Sequence, residues 1–160
     1  MADELRLPVL DGRAWTFADA LRASDILPLR AAPLPPAEAA RELFGDLDPG
    51  LAARIEPGDV LVGGQRLGIG PGGDAAARAL AAAGMVAVVA ASFADDFDEA
   101  VLAAGLPALE VDAPYTFHTG QRLRLNLEGG TIANLSSGDR QPVRNLTDGL
   151  LARLRATLGR

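Results

Sequence analysis

Val60-Leu61-Val62-Gly63-Gly64-Gln65-Arg66-Leu67-Gly68-Ile69-Gly70-Pro71-Gly72-Gly73-Asp74-Ala75-Ala76 is the stretch that decides how this chain is read. Three apolar residues lead into eleven, 63–73, of which six are glycine, and an alanine-rich run follows. The short apolar run predicts a buried strand, and the alanine run predicts a helix to about Ala83. Asp74 is suited to cap that helix and Gly84 to end it. Met85-Val86-Ala87-Val88-Val89-Ala90 then supplies a second apolar run, as expected of a strand buried on both faces. Strand, loop, helix and strand in that order predict an α/β fold.

Outward from this centre, Ala14 to Phe17 alternates as a short strand, and the prolines between Arg22 and Pro36 forbid one regular element. Pro36 opens a helix to about Phe44, and a short helical piece reaches Ile55. Downstream, Ser92 or Ala94 begins a helix that ends near Gly105, and Pro107 to Val111 is strand-like. Arg122 to Leu127 alternates polar and apolar, so one face is wet, and Thr131 to Leu135 pairs back as a hairpin. Thr147 to Leu158 is an amphipathic C-terminal helix. No linker or internal repeat interrupts the chain, so one domain, residues 1–160, is expected.

Composition excludes several classes. The chain has 160 residues, 49% hydrophobic and 22% charged, enough to build a core. Its formal net charge of −6 suits no generic nucleic-acid binder, because phosphate neutralisation needs a basic patch. It contains no cysteine, which removes disulfides, a thiolate nucleophile and any cysteine-ligated cluster held by this chain. No apolar stretch is long enough to span a membrane. The acidic start, Met1 to Leu5, has no apolar signal core, so a cytoplasmic location is expected. All fifteen basic residues are arginine; the abundance of Ala, Gly, Leu and Pro points to a GC-rich genome as the cause.

The residues alone define no catalytic set. A glycine loop entering a helix can bind an anion through free N–H groups and the helix dipole. Here no Lys-Ser/Thr follows the glycines, the dinucleotide spacing is one residue short, and Asp74 sets a negative charge where an anion would sit. A structural loop is the preferred reading. Asp95, Asp96, Asp98 and Glu99 are read as dipole partners in a first helical turn rather than as a cation site. His118, the one histidine, has no neighbouring Ser or acid that marks a triad. Trp15 and Phe17 are read as core.

Read in order, however, several segments resemble a known family. Gly12-Arg13-Ala14-Trp15-Thr16-Phe17 resembles an opening "GrvwkFgd", and Ser24-Asp25-Ile26-Leu27-Pro28 a "TDxIxP" motif. Asp46-Leu47-Asp48-Pro49 and Pro57-Gly58-Asp59-Val60-Leu61-Val62-Gly63-Gly64 resemble "DLDP…PGDiivaG". Gly84 to Ala94 resembles "GvravIAkSFA", Gly105-Leu106-Pro107 "GLP", and Gly120 to Leu135 a closing hairpin. Over residues 12–145 the chain thus resembles the small subunit of 3-isopropylmalate dehydratase and homoaconitase, the separate-chain counterpart of aconitase's mobile domain.

The resemblance implies a swivelling β/β/α domain of the aconitase C-terminal type and a hydro-lyase of leucine or lysine biosynthesis. It implies a larger aconitase-type partner subunit, in a heterodimer or heterotetramer, holding a [4Fe–4S] cluster through its own cysteines. In that family a "GxGSSRE" loop closes over the substrate, its first serine acting as base and its arginine clamping a carboxylate. The loop here is Gly68-Ile69-Gly70-Pro71-Gly72-Gly73-Asp74. Pro71 stands at the base, Gly72 at the second serine, Gly73 at the arginine and Asp74 loosely at the glutamate. Losing the clamp costs about 1.5–3 kcal/mol and losing the base roughly 10²–10⁴-fold in rate. The glycines also predict a more flexible loop.

Two expectations follow from the resemblance. In one, the chain is a hydro-lyase subunit in which the partner, or nearby Arg66 and Arg78, makes good the missing groups, with Asp25 retained on the substrate side. In the other, it is a non-catalytic structural or regulatory partner of a large subunit.

Overall fold

The computed structural model describes residues 6–159; the expectation of no signal sequence at Met1 to Leu5 lies outside them. The strands are β1 (Val9–Thr16), β2 (Val60–Val62), β3 (Ala87–Ala90), β4 (Ala108–Glu110), β5 (Arg122–Asn126), β6 (Thr131–Asn134) and β7 (Arg140–Pro142). The helices are α1 (Ala23–Ile26), α2 (Pro36–Ala39), α3 (Gly73–Ala82), α4 (Phe97–Ala103) and α5 (Asp148–Leu158), with short 3₁₀ turns between. One sheet runs β4-β3-β2-β1-β5-β6-β7. Its first four strands are parallel, and β5, β6 and β7 continue antiparallel from β1.

Strand period 2 divides the core. Leu61, Val88 and Ala90 face one way, onto Ile26, Phe44, Leu80, Phe97 and Val101. Val60, Val62 and Val89 face the other way, onto Phe117, Leu123, Leu125, Ile132 and Leu154. The parallel half is therefore covered on both faces, which is why β2 and β3 are apolar throughout. In β5 only alternate residues, Leu123 and Leu125, are buried.

After β7 the chain returns to β4. The Arg144 N–H donates to the Glu110 carbonyl at 2.9 Å, and the Asn145 side chain bonds both the Glu110 N–H and the Ala108 carbonyl. The exposed edge of β4 is thereby paired, and the sheet curls. Arg144 is fully engaged there, with Glu110, Asp112 and the Ala91 carbonyl.

Several sequence expectations need correction. Asp74 does not cap α3: Gly72 stands at the cap in the left-handed region, and Asp74 lies in the first turn. The helix expected from Ser92 or Ala94 begins only at Phe97, because Asp95 and Asp96 both take positive φ and hold the chain out of a helix. Only Asp98 and Glu99 of the acidic group stand in its first turn. β1 extends from Val9, well before the expected Ala14, because Asp11 and Arg124 pair across β1 and β5 at 2.8 Å. β7 has no strand signal in its sequence.

Candidate functional site

Parallel strands β1, β2, β3 and β4 all end at one edge of the sheet, where the following loops converge. In open α/β sheets such carboxyl edges are the usual ligand sites. The loop after β2 is the glycine segment 63–72. Its backbone is pinned by neighbours: Gly63 N–H to Val89, Leu67 N–H to Ser92 and Gly68 N–H to Leu21, all to carbonyls at 2.8–3.0 Å. The Ile69 carbonyl accepts from Ala23 N–H at 2.9 Å, and the Gly70 N–H donates to Asp95 Oδ2 at 3.1 Å. Most backbone amides of residues 63–70 are thus bonded to neighbouring segments.

The glycines have separate reasons. Gly68 has φ +92° and lies against Phe97, whose Cγ would be 2.2 Å from an added Cβ. Gly72 has φ +94° and faces the Leu29 side chain. Gly70, with φ +85°, has nothing within 4 Å of an added Cβ, so its demand is conformational alone. Pro71 is exposed, and Gly73 opens α3.

A carboxylate clasp flanks the loop. Asp19, after β1, accepts the Gln65 N–H at 2.7 Å and the Tyr115 hydroxyl at 2.8 Å. Those bonds, the Gln65 amide first, hold the Asp19 carboxyl below the ordinary carboxylate range, and the Asp19 carboxylate raises the Tyr115 phenol. Neither residue carries a sequence signal for this pairing, because they lie 96 residues apart.

The remaining candidates are spread around this edge. Asp25 spends one carboxylate oxygen on the Arg22 N–H at 3.0 Å. Arg66 holds φ +57° with its N–H on Ser92 Oγ at 2.8 Å. Arg78 is on the exposed side of α3, five residues from its start, about 7.5 Å along the axis. Sequence reasoning missed Arg22, which sits directly beside Ile69 in a parallel bridge. Clefts of about 390 and 350 Å³ lie elsewhere and include none of these residues.

No thiolate exists in the chain, and among the described residues no three His, Asp or Glu side chains converge to hold a metal.

No protein-family model matches the chain. Individual relatives do. It is 34% identical to the 3-isopropylmalate dehydratase small subunit of Nautilia profundicola over 131 residues, covering 81% of this chain and 79% of the relative. The chain belongs to the 3-isopropylmalate dehydratase small-subunit family. The small subunit 1 of Methanopyrus kandleri is 33% identical over 150 residues, 92% of this chain and 88% of the relative. The isopropylmalate/citramalate isomerase small subunit of Methanocaldococcus jannaschii is 34% identical over 133 residues, 82% and 79% respectively.

The fold agrees. A crystal structure of 3-isopropylmalate dehydratase from Methanocaldococcus jannaschii superposes with a TM-score of 0.87 at 23% identity, covering 94% of this chain and 90% of that one. A 3-isopropylmalate dehydratase small subunit is thus an α/β swivel domain, and the glycine loop lies at the carboxyl edge of its parallel strands. Among the described residues no helix is long and apolar enough to cross a membrane.

Proposed function

We infer that this chain is the small subunit of a hydro-lyase or isomerase acting on a 2-alkylmalate-type hydroxyacid, assembled with a large aconitase-type subunit that carries the [4Fe–4S] cluster. The observation that carries this reading is the pinned glycine loop at the carboxyl edge of the parallel strands, where Pro71 is exposed. Such a loop needs a facing surface to enclose a small acid. The names of the relatives, each a small subunit, support the same reading.

The loop itself brings shape and backbone N–H groups rather than a proton acceptor or a cation at 71–73, since proline and glycine offer neither. That composition favours a second reading, in which the chain binds the large subunit without contributing to turnover.

Co-expression with an aconitase-type large subunit, followed by assay with 2-isopropylmalate and citramalate, tests both. Co-purification with turnover is the expected result. Co-purification without turnover leaves the structural-partner reading, and failure to co-purify overturns the assembly.

A further inference from the structure

We propose that Arg22 supplies the carboxylate-binding guanidinium that position 73 lacks. The proposal rests on the hydroxyacid reading above and deepens it by naming the residue.

Arg22 is zipped to the glycine loop. The Gly68 N–H donates to Leu21 and Ala23 N–H donates to Ile69, so the two hydrogen bonds bracket the Arg22–Ile69 bridge. Bridged backbones lie about 4.8 Å apart, and Gly70 and Pro71 follow Ile69 directly. Arg22 therefore projects from a fixed backbone beside the segment where the substrate-facing positions stand. Arg78 is carried away along α3, and Arg66 is anchored on the Ser92 side of the loop.

The guanidinium is also uncommitted. Seven arginines hold carboxylates: 13, 30, 54, 124, 144, 153 and 155. Arg22 is exposed and makes no side-chain hydrogen bond or ion pair among the described residues. This holds in a chain where acids outnumber bases by 21 to 15. Two acids of these loops each hold a backbone amide: Asp25 accepts the Arg22 N–H and Asp95 accepts the Gly70 N–H. With Asp74 in the first turn of α3, the loop carries no excess of basic residues. Recognition would rest on the directional fork of the guanidinium, which matches a carboxylate bidentately.

The test uses ¹⁵N-arginine-labelled protein, alone and as the co-purified pair, titrated with citrate while the arginine Nε–H signals are followed. The Arg22 signal is expected to shift saturably, and those of Arg41 and Arg140 to stay. In the active pair, Arg22→Gln raises KM about 10- to 100-fold with a smaller change in kcat. Arg22→Lys keeps part of the affinity. Gly73→Arg in the Arg22→Gln background lowers KM again, which a purely structural role would not produce. An Arg22 signal that moves no more than those of Arg41 and Arg140 in either preparation overturns the proposal, as does an unchanged KM in Arg22→Gln. A pair without turnover counts against the hydro-lyase reading, and the citrate titration then decides on Arg22 separately.

Discussion

Gly68 lies flat against Phe97: a Cβ on the glycine would stand 2.2 Å from the ring's Cγ and 2.5 Å from its Cβ. These are root atoms of the ring and cannot swing away. Gly68→Ala therefore combines left-handed strain of about 1–2 kcal/mol with overpacking of about 1–3 kcal/mol. Gly70→Ala meets open space, so it carries only the strain term. Urea unfolding should show Gly68→Ala losing about 2–5 kcal/mol and Gly70→Ala about 1–2 kcal/mol. Equal losses would mean that the loop does not pack on α4 as described.

Asp59 is buried at 3% exposure and accepts three donors: Trp15 Nε1 at 2.7 Å, the Glu56 N–H at 2.8 Å and Arg13 at 3.1 Å. Arg13 also stacks over the Trp15 ring, 4.8 Å from its centroid. This knot ties β1 to the turn before β2. Asp59→Ala leaves a buried indole N–H and the Glu56 N–H without their acceptor and Arg13 without its counter-charge, holding only the Arg54 carbonyl, a loss of about 3–5 kcal/mol. A shift of the urea midpoint below the equivalent of 1 kcal/mol would contradict it.

Such long-range ties explain which parts were legible. β2, α3 and β3 were readable because apolar runs and glycine breaks are local signals, and the hairpin Arg122 to Leu135 because its alternation is clean. The start of β1 was not readable: Val9 to Arg13 becomes a strand through register with β5, more than a hundred residues on. The same limit applied at the site. The loop's identity was visible in its glycines, but the Arg22 bridge to Ile69 and the Asp19–Tyr115 clasp depend on which loops share a sheet edge. The Asp95-Asp96 pair reads as a helix start by composition; its positive φ values arise where the chain turns to meet Gly70.

The Asp19–Tyr115 clasp sets a pH dependence at both ends. Asp19 is held below its ordinary value when folded, so its contribution is present above the ordinary carboxylate range and is lost as pH falls through the folded value. Tyr115 is raised, so its contribution is present below the ordinary phenol value and is lost as pH rises through the folded one. Both groups are exposed, so the effects are small. Asp19→Asn should flatten the acid limb of a Tm-against-pH curve, and Tyr115→Phe the alkaline limb. Faster amide exchange at Gln65 in Asp19→Asn would localise the change, and unaltered limbs in both variants would dismiss the clasp.

Restoring Ser-Ser-Arg at positions 71–73 is the most direct trial of the loop. The scaffold admits it unevenly. Pro71 is exposed, so serine there changes only chain entropy, about 0.4–1 kcal/mol. Serine at 72 must adopt left-handed backbone, about 1–2 kcal/mol, while meeting only the far end of Leu29 at 2.9 Å. At 73 an added Cβ comes within 3.3 Å of Phe97 Cδ1, close but on ordinary backbone. The triple variant should therefore fold with a loss of about 1.5–3 kcal/mol. Co-purified with the large subunit, it should raise kcat roughly 10²–10⁴-fold over the unaltered pair, the contribution of a positioned base. Pro71→Ser alone should act mainly on kcat and Gly73→Arg alone mainly on KM, because one position offers a proton acceptor and the other a carboxylate fork. A folded, assembled triple variant with unchanged kinetics would mean that these three positions do not face the substrate.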